Sequence, residues 1–79
     1  MKRFVLYGRA GCHLCEAMQR EIEVLRRRRE FTLEVRDISG DEALEAAYGE
    51  IIPVLEQEGV EISRFHLDAE ALRRCLDDR

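Results

Sequence analysis

The chain has 79 residues, 38% of them charged and 46% hydrophobic, and a formal net charge of −4. This length admits one domain, 1–79, with a thin core that buries only about 60% of the surface the unfolded chain exposes. The hydrophobic share excludes a disordered chain, and the acidic balance argues against nucleic acid as the main partner.

Met1-Lys2-Arg3 precedes an apolar run, Phe4-Val5-Leu6-Tyr7, that Gly8 and Arg9 interrupt. The run is too short for a secretory core of about 7–15 apolar residues or a membrane span of about 20. A cytoplasmic protein with no membrane partner is therefore expected. Lys2 to Tyr7 reads instead as a strand, and its unbroken apolar character fits a central strand buried on both faces.

From His13 to about Arg28 the period becomes helical: Leu14, Met18, Ile22 and Leu25 face one way, and Glu16, Gln19, Arg20 and Glu23 the other. Arg26-Arg27-Arg28-Arg29 is the one dense basic run, read as the last helical turn complementing the negative end of the dipole. Phe31, Leu33 and Val35 alternate with Thr32, Glu34 and Arg36 as a half-buried strand. Ser39-Gly40-Asp41 is a turn with a helix cap, followed by a short helix to Tyr48 that presents Leu44, Ala47 and Tyr48 and stops at Gly49.

Pro53 is the only proline, and a strand, Val54-Leu55-Glu56, follows it. Glu58-Gly59 is placed for a tight turn, with Val60, Ile62 and Arg64-Phe65 continuing as the partner strand. Asp68 caps a last helix, with Leu67 and Leu72 as a hydrophobic staple and Ala69, Leu72 and Leu76 as its inward stripe. The order is β-α-β-α-β-β-α, an α/β chain. Its first two strands should run parallel through a right-handed crossover, and its hairpin makes the four-stranded sheet mixed, flanked by helices.

Cys12-His13-Leu14-Cys15 follows the first strand and opens the first helix. The free N–H groups of a helix's first turn and its positive dipole end favour a negative sulfur, and can draw a thiol pKa down from about 8.5. The three-residue spacing brings the two sulfurs onto one side of the turn, with Cys12 the more exposed. Cys12 then reads as the nucleophile toward a disulfide and Cys15 as the resolving thiol. Arg9 and His13 are the neighbours able to add positive charge, or else plain surface charges.

Three cysteines make an odd count, which fits a stapled secreted domain poorly and suits a reducing compartment. A structural zinc site needs four ligands, and beyond the pair the chain offers only Cys75, His13 and His66. Metal or iron–sulfur binding across a dimer stays as the alternative, as does a non-catalytic interaction module; the expectation is no metal. Cys75 reads as a buried small hydrophobe. Pro53 is either an ordinary first residue of a strand or a cis proline.

The stretch Tyr7-Gly8-Arg9-Ala10-Gly11-Cys12-His13-Leu14-Cys15, a long helix, and Ile52-Pro53-Val54-Leu55 before a hairpin together resemble the glutaredoxin-like branch of the thioredoxin superfamily. The likeness is to small bacterial members with a Gly-Cys-His-Leu-Cys active site, and it spans essentially the whole chain. It implies a thioredoxin-like, glutaredoxin-type fold, a cis Pro53 facing the Cys12 sulfur, and an Ile52 backbone that pairs with an extended substrate segment. It also implies dithiol chemistry, and the expectation for the chain is a monomeric thiol–disulfide oxidoreductase, without a bound cofactor, acting on disulfide-containing proteins or on glutathione-mixed disulfides. A cytosolic thiol reductase is the expected partner and glutathione a candidate co-substrate. The chain departs from typical glutaredoxins in having His13-Leu14 between its cysteines. It departs again in carrying Phe65-His66-Leu67-Asp68 where paired glycines and a polar pair hold glutathione.

Overall fold

Each predicted element is present in the computed structural model, which describes residues 1–78. They are β1 (Arg3–Gly8), α1 (His13–Arg26), β2 (Thr32–Asp37), α2 (Glu42–Tyr48), β3 (Val54–Gln57), β4 (Val60–Arg64) and α3 (Ala69–Asp77). The four strands form one sheet in the order β2-β1-β3-β4. β1 runs parallel to β2 and antiparallel to β3, and β3 runs antiparallel to β4.

β1 is central, and its residues divide between two cores as the period-2 pleat requires. Phe4 and Leu6 point to the face covered by α1 and α3, where they meet Met18, Ile22, Phe31, Leu55 and Leu72. Val5 and Tyr7 point to the face covered by α2, with Ile38, Val54, Leu44 and Tyr48. Truncating a fully buried residue of the first group, such as Ile22 or Leu72, should cost about 2–5 kcal/mol. On the other face the Tyr48 ring stacks on Tyr7 with centroids 4.1 Å apart, and its hydroxyl donates to Glu56 at 2.7 Å.

Caps and turns set the element ends. The carboxylates of Asp41 and Asp68 accept from Leu44 N–H at 3.1 Å and Ala71 N–H at 3.0 Å, closing the starts of α2 and α3. Leu67 and Leu72 both pack in the α3 core, as a staple should. The β3–β4 loop is Glu58-Gly59 with φ of 51° and 81°, the two positive values a two-residue hairpin turn needs.

Five details differ from the sequence reading, the first being Leu14, which is 41% exposed at the start of α1 rather than part of its inward stripe. α1 ends at Arg26, not Arg28, because the chain must turn there to bring Thr32 N–H to the Lys2 carbonyl at 2.8 Å. Ala47 is exposed; α2 reaches the sheet through Leu44 and Tyr48, and the inward contact continues in Ile51 and Ile52. Val35 is 49% exposed because it lies on an edge strand near the uncovered margin of the sheet. Phe65 does not extend β4: it sits at φ 66°, outside any strand conformation.

Candidate active site

The register brings three strand ends together. Gly8 pairs with Asp37 at the ends of β1 and β2, and Tyr7 pairs with Val54 at the start of β3. One step further along that antiparallel ladder lies Pro53, so the proline stands at the end of the sheet from which β1 runs into the cysteine loop. The peptide between Ile52 and Pro53 is cis.

Beyond Gly8 the chain reverses through Arg9-Ala10-Gly11, with Cys12 N–H donating to the Arg9 carbonyl at 3.3 Å. Gly11 has φ 79°, a conformation open to glycine at little cost. Cys12 is the N-cap of α1, with extended dihedrals (φ −91°, ψ 110°), and its sulfur takes the acceptor role a Ser or Asp oxygen usually fills. Cys15 N–H donates to Cys12 Sγ at 3.2 Å. The two cysteines form a disulfide, their Cα atoms 5.2 Å apart, within the usual range for a bridge.

The two sulfurs have different surroundings. Cys12 is half-buried, whereas Cys15 is 7% exposed and lies against β1. Gly8 makes that approach feasible: a Cβ there would stand 3.1 Å from both Cβ and Sγ of Cys15. The pair therefore has one sulfur open to a partner and one held in place behind it. A cleft of about 280 Å³ lies beside Cys15, lined among others by Gly8, Arg9, Ala10 and Asp37.

The other predicted residues are placed as follows. Arg9 pairs with Glu45 of α2, and the end of its side chain lies over Gly49 at the close of that helix. His13 is 99% exposed, with Nδ1 3.9 Å from the Glu16 carboxylate, so its ring is scarcely held. Ile52 N–H donates to the Tyr48 carbonyl at 3.1 Å, and among the described residues nothing donates to its own carbonyl. Pro53 is buried, and its carbonyl accepts from Phe65 N–H at 2.8 Å.

Four residues here escaped the sequence reading: Gly8 as the floor under Cys15, Glu45 as the partner of Arg9, Asp37, and Phe65. Asp37 had a local signal in Asp37-Ile38-Ser39, a pattern suited to an Asx turn. Its carboxylate accepts from Ser39 N–H at 2.8 Å, and that bond, helped by Arg9, holds it below the usual carboxylate range. No group of three or more His, Cys, Asp or Glu side chains is placed to hold a metal ion among the described residues.

Residues 3–77 match the glutaredoxin-like domain (DUF836). The chain belongs to the glutaredoxin-like family. Among solved structures, this glutaredoxin-like chain is similar to protein Ne2328 from Nitrosomonas europaea, at 38% identity over 96% of this chain and 92% of that one, with a TM-score of 0.86. It is also similar to protein XcR50 from X. campestris, at 37% identity over 94% and 95% of the two chains and a TM-score of 0.69. Thioredoxin 1 from Thermosipho africanus is 19% identical over 95% and 94%, with a TM-score of 0.62, which shows the thioredoxin fold. No curated protein matches the chain. The expected glutaredoxin-type, thioredoxin-like architecture is thus present, with its cysteine pair at the start of the first helix.

Proposed function

We propose that the chain is a thiol–disulfide oxidoreductase in which Cys12 is the nucleophile and Cys15 the resolving thiol. The single observation that supports this is the unequal pair at the α1 N-terminus: a half-buried Cys12 sulfur receiving a peptide N–H, and a bridged Cys15 sulfur buried against Gly8.

In the reduced protein, Cys12 thiolate attacks one sulfur of a substrate disulfide. A bond forms between Cys12 and that sulfur, the substrate S–S bond breaks, and its electron pair leaves on the other substrate sulfur, which takes a proton from water. Cys15 then loses its proton to the solvent and attacks Cys12 Sγ, expelling the remaining substrate thiolate. Two electrons pass to the substrate, and the Cys12–Cys15 disulfide remains.

Substrates are disulfide-containing proteins or glutathione-mixed disulfides. Ile52 supplies a backbone acceptor to an extended segment, Pro53 closes the site beside it, and Arg9, once free of Glu45, is the neighbour able to add positive charge near the sulfur, with His13 as the other candidate. The oxidised pair is returned to the dithiol by two electrons from glutathione or a cytosolic thiol reductase. The proposal extends to a cytoplasmic monomer, supported by an odd cysteine count that suits a reducing compartment.

The test is a trapping experiment. A Cys15→Ser variant lacks the resolving thiol and should accumulate mixed disulfides on Cys12 when offered glutathione disulfide or a peptide disulfide, seen as the added mass. Failure to form any such adduct would remove the proposal.

A further inference from the structure

Phe65 occupies a backbone position that its side chain disfavours. Its φ is 66°, and the turn around it is closed by His66 N–H donating to the Arg64 carbonyl at 2.7 Å. A three-residue turn with a positive φ at its centre is the rare, strained form of γ-turn, and a bulky aromatic there is an outlier. Such strain persists where the surroundings over-determine it and clusters at functional sites. The surroundings here are the bond from Phe65 N–H to the Pro53 carbonyl on one side and the Asp68 cap of α3 on the other.

The strain is not repaid by burial. Phe65 is 40% exposed and belongs to neither core. It is tied directly to Pro53, so it stands at the end of the sheet where Cys12 lies. Leu14, between the two cysteines, is 41% exposed at that same end, and Ile52, next to Pro53 in the chain, is half-buried.

Two guanidinium groups flanking this end are already engaged. Arg64, next to Phe65, is held by both carboxylate oxygens of Glu61 at 2.7 and 2.8 Å. Arg9 is paired with Glu45. A small anionic disulfide therefore meets guanidinium groups whose charge is offset within the chain, whereas an apolar side chain meets an aromatic ring that is 40% exposed.

Building on the proposed dithiol chemistry, we infer that Phe65 is a specificity-determining residue: its strained turn presents the ring to an apolar side chain flanking the cysteine of an extended peptide substrate, favouring such peptides over small anionic disulfides. A single well-placed aromatic contact at an interface centre commonly sets about a tenfold preference or more.

The experiment measures second-order rate constants for oxidation of the fully reduced protein by two probes, glutathione disulfide and a peptide dimer disulfide with leucine on each side of its cysteine. Wild type should favour the leucine peptide. In Phe65→Gly the ratio of peptide to glutathione rate constants should fall by about tenfold, and Phe65→Leu should recover most of it. Phe65→Gly should melt no lower than wild type, because glycine reaches this φ without steric cost. A ratio within about twofold of wild type, no recovery with Phe65→Leu, or a lower melting temperature for Phe65→Gly would each overturn the inference while leaving the dithiol chemistry standing. Oxidation of wild type by neither probe would instead overturn the proposed function, and this inference with it.

Discussion

Replacing Gly8 with alanine tests how the buried sulfur is seated. The added Cβ would lie 3.1 Å from both Cβ and Sγ of Cys15, so something must yield by a few tenths of an ångström. Cys15 has little freedom to do so, being 7% exposed and fixed in the first turn of α1. Forcing one methyl group into a packed site costs about 1–3 kcal/mol. Replacing a strand glycine returns about 0.5–1 kcal/mol of backbone entropy. The net loss should be about 0–2.5 kcal/mol, a fall in Tm of up to roughly 20 °C for a domain this small.

The assay is urea unfolding of the reduced protein as a double-mutant cycle with Cys15→Ala, which removes the sulfur and leaves Cβ. Half of the close contact then disappears, so Gly8→Ala should cost less in that background, with a coupling of at least about 0.5 kcal/mol. Equal costs in the two backgrounds, or a stabilising Gly8→Ala, would refute the seating argument.

Two further outcomes follow from charge and hydrogen bonding. Glu45→Gln releases Arg9 from its ion pair. Stability should change by less than about 1 kcal/mol, since the pair lies at the surface with side chains 39% and 42% exposed, but oxidation by glutathione disulfide should quicken by roughly two- to fivefold at low salt and lose that gain at high salt. No rate change at low salt would contradict a charge role for Arg9. Tyr48 has its pKa raised, first by the hydrogen bond to the Glu56 carboxylate and then by burial. Its folded value lies above the unfolded one of about 10, so the stabilisation is fully present below that pH and is lost as pH rises through the folded value. Tyr48→Phe should therefore have a lower urea midpoint than wild type at pH 8, and the gap should narrow above pH 10. A constant gap would contradict the assignment.

Much of the architecture was legible because several independent signals agreed. The run Phe4-Val5-Leu6-Tyr7 could be satisfied only by cover on both faces, and the structure supplies two cores. Asp41 and Asp68 announced their helices because a short acceptor before an apolar period has one good use. Glu58-Gly59 sat between two apolar segments where the chain had to reverse.

What stayed hidden depends on distance or on local rules being broken. Arg9 and Glu45 are 36 positions apart, and surface charges pair too freely for a pattern to join them. Gly8 looked like a strand terminator, and its tolerance of a sulfur becomes visible only once α1 is folded back. Phe65 was assigned to a strand because aromatic residues favour strands; no propensity anticipates an aromatic residue in a positive-φ turn. Ala47 misled for a simpler reason: in a helix of seven residues the apolar stripe is too short to fix its face.

The account turns on Cys12 Sγ serving as the cap of α1, where a peptide N–H and the helix dipole meet the sulfur. The most direct measurement is the rate of Cys12 alkylation by iodoacetamide against pH, in the reduced protein folded and in urea. The folded protein should show a midpoint at least about one unit below the unperturbed thiol value of about 8.5, with the urea-unfolded chain at that value. Coincident midpoints, or a higher one in the folded protein, would contradict the claim.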